Sequence, residues 1–207
     1  MKVLMINGSP HQNGCTYTAL TEIAKALEAE GVDSEIVWLG AGPLRDCIGC
    51  RGCRGKNRCV FGGDVVEELT AKAAEADGFV FGSPVYYAHP SGQILCALNR
   101  LFYSASSLLA HKPGAAIVSA RRGGTTAALD VLNKYFTINQ MPVVSSTYWN
   151  MVHGNKPEDV AQDLEGLQTM RNIGRNMAWL LRCMEAGRNA GIAAPEAERG
   201  AATNFIR

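Results

Sequence analysis

The stretch from Val3 to Thr18, VLMINGSPHQNGCTYT, constrains the fold more than any other part of this 207-residue chain. Val3-Leu4-Met5-Ile6 is apolar without interruption, as in a strand covered on both faces. Asn7 to Gly14 are nearly all loop formers. From Thr16 onward the apolar residues Ala19, Leu20, Ile23, Ala24 and Leu27 recur at helical spacing. A buried strand that passes through a polar loop into a helix is the layout of an anion site. The first turn of a helix carries unpaired N–H groups and the positive end of the macrodipole. Ser9, Asn13 and Thr16 add side-chain donors, and His11 can donate as well.

The loop holds no lysine or arginine, so backbone N–H groups must do much of any binding. It lacks G-x-x-x-x-G-K-[ST], the nucleoside-triphosphate pattern, and G-x-G-x-x-G, the dinucleotide pattern. A terminal phosphomonoester such as that of FMN suits it. The plain alternative is a strand-to-helix turn that binds nothing.

The rest of the chain alternates strands and helices. Helix one is expected over Thr16–Glu30, stopped by Gly31, and strand two over Asp33–Leu39. Residues 40–63 form a long irregular stretch. Asp64 caps a helix over Val65–Glu75, and strand three follows at Asp77–Gly82. Ser83 to Pro90 reads as a loop, Ser91 as the cap of helix three, and Ala115–Ala120 as strand four. Arg121 to Thr126 reads as a loop before helix four, which runs to about Tyr135. Strand five is expected to start at Pro142-Val143-Val144, and one final helix to span Pro157–Met184.

This order specifies an α/β fold, a flavodoxin-like three-layer sandwich on a five-stranded parallel sheet of order 2-1-3-4-5. A single domain, 1–186, carries a cysteine-rich loop at 45–63, and residues 187–207 form a Gly- and Ala-rich C-terminal arm. In such a sheet the loops after strands one, three and four meet in one crevice. Ser83, Pro84, Val85, Tyr86 and Tyr87 offer backbone amides and aromatic rings to a flat isoalloxazine. Gly123 and Gly124 allow close backbone approach, and Arg121 can reach the ring edge or a nicotinamide cofactor's phosphate. Packing on a neighbouring helix and a solvated loop are the bland alternatives for these tyrosines and arginines.

The second signal is Cys47, Cys50, Cys53 and Cys59, spaced C-x2-C-x2-C-x5-C. Three cysteines two residues apart, with a fourth nearby, can wrap a [4Fe–4S] cluster. Zinc more often takes two separated C-x2-C pairs. Arg45, Arg51, Arg54, Lys56 and Arg58 face only Asp46 here, and would offset a cluster's negative charge or depress the pKa of free thiols. Seven cysteines, four of them crowded, argue against a disulfide framework.

Gly8-Ser9-Pro10 with Asn13-Gly14 and Thr16, Ser83-Pro84-Val85-Tyr86, and the four-cysteine run together resemble the NADPH-dependent FMN reductase family. The nearest branch is that of the iron–sulfur flavoproteins, and the likeness covers about residues 1–150. The chain departs from relatives at Cys15, which stands in the phosphate loop, at Gly63-Asp64, and at Cys96 and Asn99-Arg100. The resemblance implies FMN held by the loop residues above, Cys15 among them, and electron transfer through flavin N5 with no side chain as acid or nucleophile. It also implies a homodimer or homotetramer, with NAD(P)H or a ferredoxin-like protein as electron donor. A cluster-free NAD(P)H-dependent FMN or quinone reductase is the alternative on the same fold, and a zinc- or thiol-based binding module the alternative of another class.

A formal net charge of +1 supplies no field for nucleic acid. Strand one begins almost at Met1, leaving no room for a signal peptide, and no apolar run reaches membrane-spanning length. The expectation is a cytoplasmic protein with neither nucleic-acid nor membrane partners.

Overall fold

A computed structural model describes residues 1–201 together with Thr203 and Phe205. Strand β1, Lys2–Asn7, is the centre of the molecule, and Val3, Leu4, Met5 and Ile6 are all fully buried. Alternation along the strand decides which layer each joins. Val3 and Met5 pack with helices α1 (Cys15–Ala29) and α6 (Leu164–Asn189). Leu4 and Ile6 pack with α2 (Val65–Glu75), α3 (Gly92–Ala105) and α4 (Thr125–Ile138). Each such Leu or Ile contributes about 1.5–3 kcal/mol by leaving water.

The other strands are β2 (Asp33–Trp38), β3 (Gly78–Tyr86), β4 (His89–Pro90), β5 (Gly114–Ala120) and β6 (Met151–His153). The parallel path runs β2-β1-β3-β5-β6, and β4 pairs antiparallel with β3 at its end. With β4 set aside, this is the expected 2-1-3-4-5 order of a flavodoxin-like sheet. Parallel pairing puts the loops after β1, β2, β3, β5 and β6 at one edge of the sheet.

The expected starts and stops hold at several ends. Gly31 adopts φ +70 after α1. Asp64 accepts from the Val66 N–H at 3.1 Å and Ser91 from the Ile94 N–H at 3.3 Å. Three expectations are corrected. The segment at Pro142–Val144 makes only an isolated bridge, Val143 to Gly114. Pro142 has no N–H to give, and after the Val144 N–H donates to Gly114 O at 2.8 Å the chain swings out. Asn150 brings it back, donating from Nδ2 to Ala116 O at 3.1 Å, and the last strand is β6.

Ser83 to Tyr86 is the end of β3 rather than loop, turned back onto β4 through Tyr87 and Ala88. Both turn residues have positive φ, 50 and 61, as a two-residue primed hairpin requires. The final helix is two helices, α5 (Pro157–Val160) and α6. Asp163 divides them by accepting from the Gly166 N–H at 2.9 Å and so capping a new helix. The arm expected over 187–207 falls in part, at 202, 204, 206 and 207, outside the described residues. Among the described residues no helix is long and apolar enough to cross a membrane.

Candidate functional site

The loop after β1 is folded by its own polar side chains. Asn7 Oδ1 accepts from the Ser9 N–H at 3.1 Å, while its Nδ2 donates to Gln12 O at 3.0 Å. The His11 N–H donates to Ser9 Oγ at 3.1 Å, and Trp38 Nε1 donates to Ser9 O at 2.7 Å. Helix α1 then starts at Cys15 with Gly14 as its cap, and no side-chain cap bond closes that end among the described residues. First-turn N–H groups are left for an outside acceptor. Thr16 is buried there, its hydroxyl 2.9 Å from Ser119 Oγ.

A cavity of about 240 Å³ opens at this helix start. Ser9, His11, Cys15 and Thr16 line it from the first loop, and Pro84, Val85 and Tyr86 from the end of β3. Arg121 reaches it from the loop after β5. Ser119, Ala120, Gly154 and Asn155 also line it and were not singled out from the sequence. Ser119 and Ala120 close a strand read only as core. Gly154 follows β6, whose position the hydrophobic pattern misplaced.

The remaining candidates lie around the cavity rather than in its wall. Asn13 is exposed in the loop itself. Ser83 is fully buried, donating to Pro84 O at 2.8 Å and accepting from the Ser91 N–H at 2.9 Å, so it shapes the hairpin. Tyr87 is fully exposed at the hairpin tip. Gly123 is exposed, and Gly124, at φ +89, lies so near the tip that a Cβ would sit 2.8 Å from Ala88 Cα. Burial pushes the Cys15 thiol and the Tyr86 phenol up from their ordinary values, so both are neutral near pH 7. The donors, the uncapped helix and the cavity fit a phosphomonoester joined to a flat ring.

The cysteine loop is draped along one face of α3. Gln93 Nε2 donates to Gly42 O at 2.9 Å and Asn99 Nδ2 to Asp46 Oδ1 at 3.0 Å. Cys53 Sγ donates to Tyr103 O at 3.6 Å. At the loop's two ends, the Arg45 guanidinium lies 4.6 Å from the Phe61 ring centroid. Cys47, Cys50, Cys53 and Cys59 line a second cavity of about 280 Å³, with Phe61, Arg100 and Tyr103 in its wall. Among the described residues no three His, Cys, Asp or Glu side chains converge tightly enough to hold a metal ion. Four thiols around one cavity are the donor set that a polynuclear iron–sulfur group requires.

Arg100 stands behind that cavity, 1% exposed. Its guanidinium meets Asp64 through two bonds, Nη1 to Oδ2 at 2.5 Å and Nη2 to Oδ1 at 3.2 Å. Nη1 also donates to Arg45 O at 3.4 Å, and Nη2 to Phe61 O. Burial acts to lower its pKa, but the Asp64 carboxylate and then Cys59 outweigh this and hold it raised. Tyr135 donates to Asn99 Oδ1 at 2.5 Å on the far side of α3, its phenol pushed up to about 12 by burial, then by Asp46 and Cys96.

The profile of one family, NADPH-dependent FMN reductase, matches residues 1–156. An iron–sulfur flavoprotein of Methanocaldococcus jannaschii is 32% identical over 193 residues, covering 89% of this chain and 100% of that protein. Among solved structures, RosB with bound 8-demethyl-8-formylriboflavin-5'-phosphate superposes with a TM-score of 0.68 at 15% identity, covering 100% of this chain and 94% of that one. An archaeal flavodoxin superposes with a TM-score of 0.60 at 15% identity, covering 88% of this chain and 99% of that one. These two likenesses concern the fold.

Proposed function

The chain belongs to the NADPH-dependent FMN reductase family and is a flavin-dependent oxidoreductase, and on that premise we propose that it exchanges electrons between FMN and a [4Fe–4S] cluster held by Cys47, Cys50, Cys53 and Cys59. Bound FMN supplies two-electron and one-electron chemistry at N5. The cluster supplies single-electron transfer at a potential tuned by its surroundings.

The chain's own residues position and insulate. Ser9, His11, Thr16 and the open N-terminus of α1 hold the phosphate, Asn13 stands at the exposed rim of the same loop, and Gly14 leaves the helix start clear. The β3 end, Pro84 to Tyr86, offers a flat apolar edge to the ring, and Arg121 an adjacent positive charge. No side chain is needed as acid or nucleophile. The observation that carries this reading is the uncapped helix start opening into a cavity shared by four sheet-edge loops. The electron donor is NAD(P)H or a ferredoxin-like protein, for which the five basic residues of the cysteine loop form a complementary surface. The working unit is a homodimer or homotetramer.

Anaerobic purification followed by absorption spectroscopy and iron and sulfide analysis tests this. One FMN and about four irons per chain are expected. Protein that binds neither defeats the proposal. FMN without iron selects a second reading, an NAD(P)H-dependent FMN or quinone reductase whose cysteines are ordinary thiols.

A further inference from the structure

Arginine has five N–H donors. In Arg100 four belong to Nη1 and Nη2, which serve Asp64, Arg45 O and Phe61 O. The fifth, on Nε, is buried and has no partner among the described residues. Leaving such a donor unpaired costs about 1–3 kcal/mol. The same side chain lines the cavity ringed by the four cysteines, and among the described residues no sulfur closes a hydrogen bond to Nε. A neutral thiol is a poor acceptor, whereas a sulfur bound to iron is anionic and a good one.

The carbonyls that Arg100 grips stand at opposite ends of the cysteine loop, Arg45 before Cys47 and Phe61 after Cys59. Asp64, which it pairs with, also starts α2. One side chain of α3 therefore ties the loop's entrance, its exit and the next helix together.

We propose that Arg100 is the positioning residue of the cysteine loop, clamping its two ends and reserving its Nε–H for a sulfur of the iron–sulfur group in the cavity it lines. The sulfur part of this assignment rests on the cluster reading above, while the clamp does not. A hydrogen bond to a ligand sulfur stabilises the more negative, reduced state, so it holds the cluster's potential up.

Arg100→Lys keeps a charge but loses the fork and Nε, and Asp64→Asn keeps the helix cap and leaves Nε in place. FMN content and FMN affinity, within about twofold of wild type, check that each variant is folded. In Arg100→Lys the amides of residues 45–63 exchange hydrogen about tenfold faster, and the cluster's midpoint potential moves negative. In Asp64→Asn, which removes a negative charge and keeps Nε, the potential does not move negative. Unchanged exchange in Arg100→Lys overturns the clamp, and an equal shift of potential in both variants overturns the sulfur contact. Wild-type protein that takes up no iron on anaerobic reconstitution overturns the cluster reading and the sulfur contact with it. The clamp is then decided by exchange in the iron-free protein.

Discussion

Gly14 matters at the scale of the single residue for what it lacks. Aspartate there would cap α1 and set a carboxylate where a phosphate is expected. A Cβ would meet His11 Cβ at 3.0 Å, an atom the backbone holds in place, so the exposed loop at residues 11–13 must give by a few tenths of an ångström. Gly14→Asp should leave apoprotein stability within about 0.5 kcal/mol and weaken FMN binding about 100-fold, some 2.7 kcal/mol. Isothermal titration and chemical denaturation of the apoprotein check the two halves.

Tyr135 gives a second residue-scale prediction. Its folded pKa of about 12 lies above the ordinary value of 10.0, so its stabilising contribution is complete below pH 10 and is lost as pH rises through 12. Wild-type stability should fall between pH 10 and 12 more steeply than that of Tyr135→Phe. After discount for partial exposure the difference is on the order of 1 kcal/mol. The polar loop between β1 and α1 was readable in the sequence because its residues are contiguous. Ser119 and Asn155 were not, since their place in the cavity is set by strand ends that share no local pattern with it.

At the scale of elements, Asp64 is where two helices meet, as cap of α2 and ion-pair partner of α3. Asp64→Ala removes the cap and leaves the Arg100 charge buried without a counter-ion, and should cost about 3–5 kcal/mol. Asp64→Asn retains the cap and should cost less, a difference that urea denaturation resolves. Helices capped by Asp64 and Ser91 could be placed from sequence because their stop and start chemistry is local. The last strand could not. Pro142-Val143-Val144 has strand composition, but proline cannot extend the ladder, and the return depends on the Asn150 amide reaching Ala116 O across 34 positions. The single long helix read over Pro157–Met184 failed for a related reason, because Asp163 acts as a cap only through its turned-back carboxylate.

At the scale of the molecule, the strand order was legible because an unbroken apolar β1 flanked by alternating helices admits few topologies. What the order alone conceals is that α3 joins the two candidate sites. Ser91, at its start, donates its N–H to Ser83 Oγ beside the first cavity, and Arg100, nine residues on and thus about 13 Å along the axis, backs the second. Ligand binding should register in global unfolding. FMN at 100 times its dissociation constant adds about 2.7 kcal/mol, raising the melting temperature by roughly 5–10 °C. Differential scanning calorimetry with and without FMN reads this, and an unmoved transition would count against the crevice as the binding place.

The uncapped start of α1 also bears on the fate of the chain before any ligand arrives. With no side-chain cap on its first N–H groups, the newly made polypeptide should fray at that turn, beside the exposed residues His11 to Asn13. Limited digestion should therefore nick the empty protein in this loop first, and cofactor supply would govern how long each copy survives in the cell.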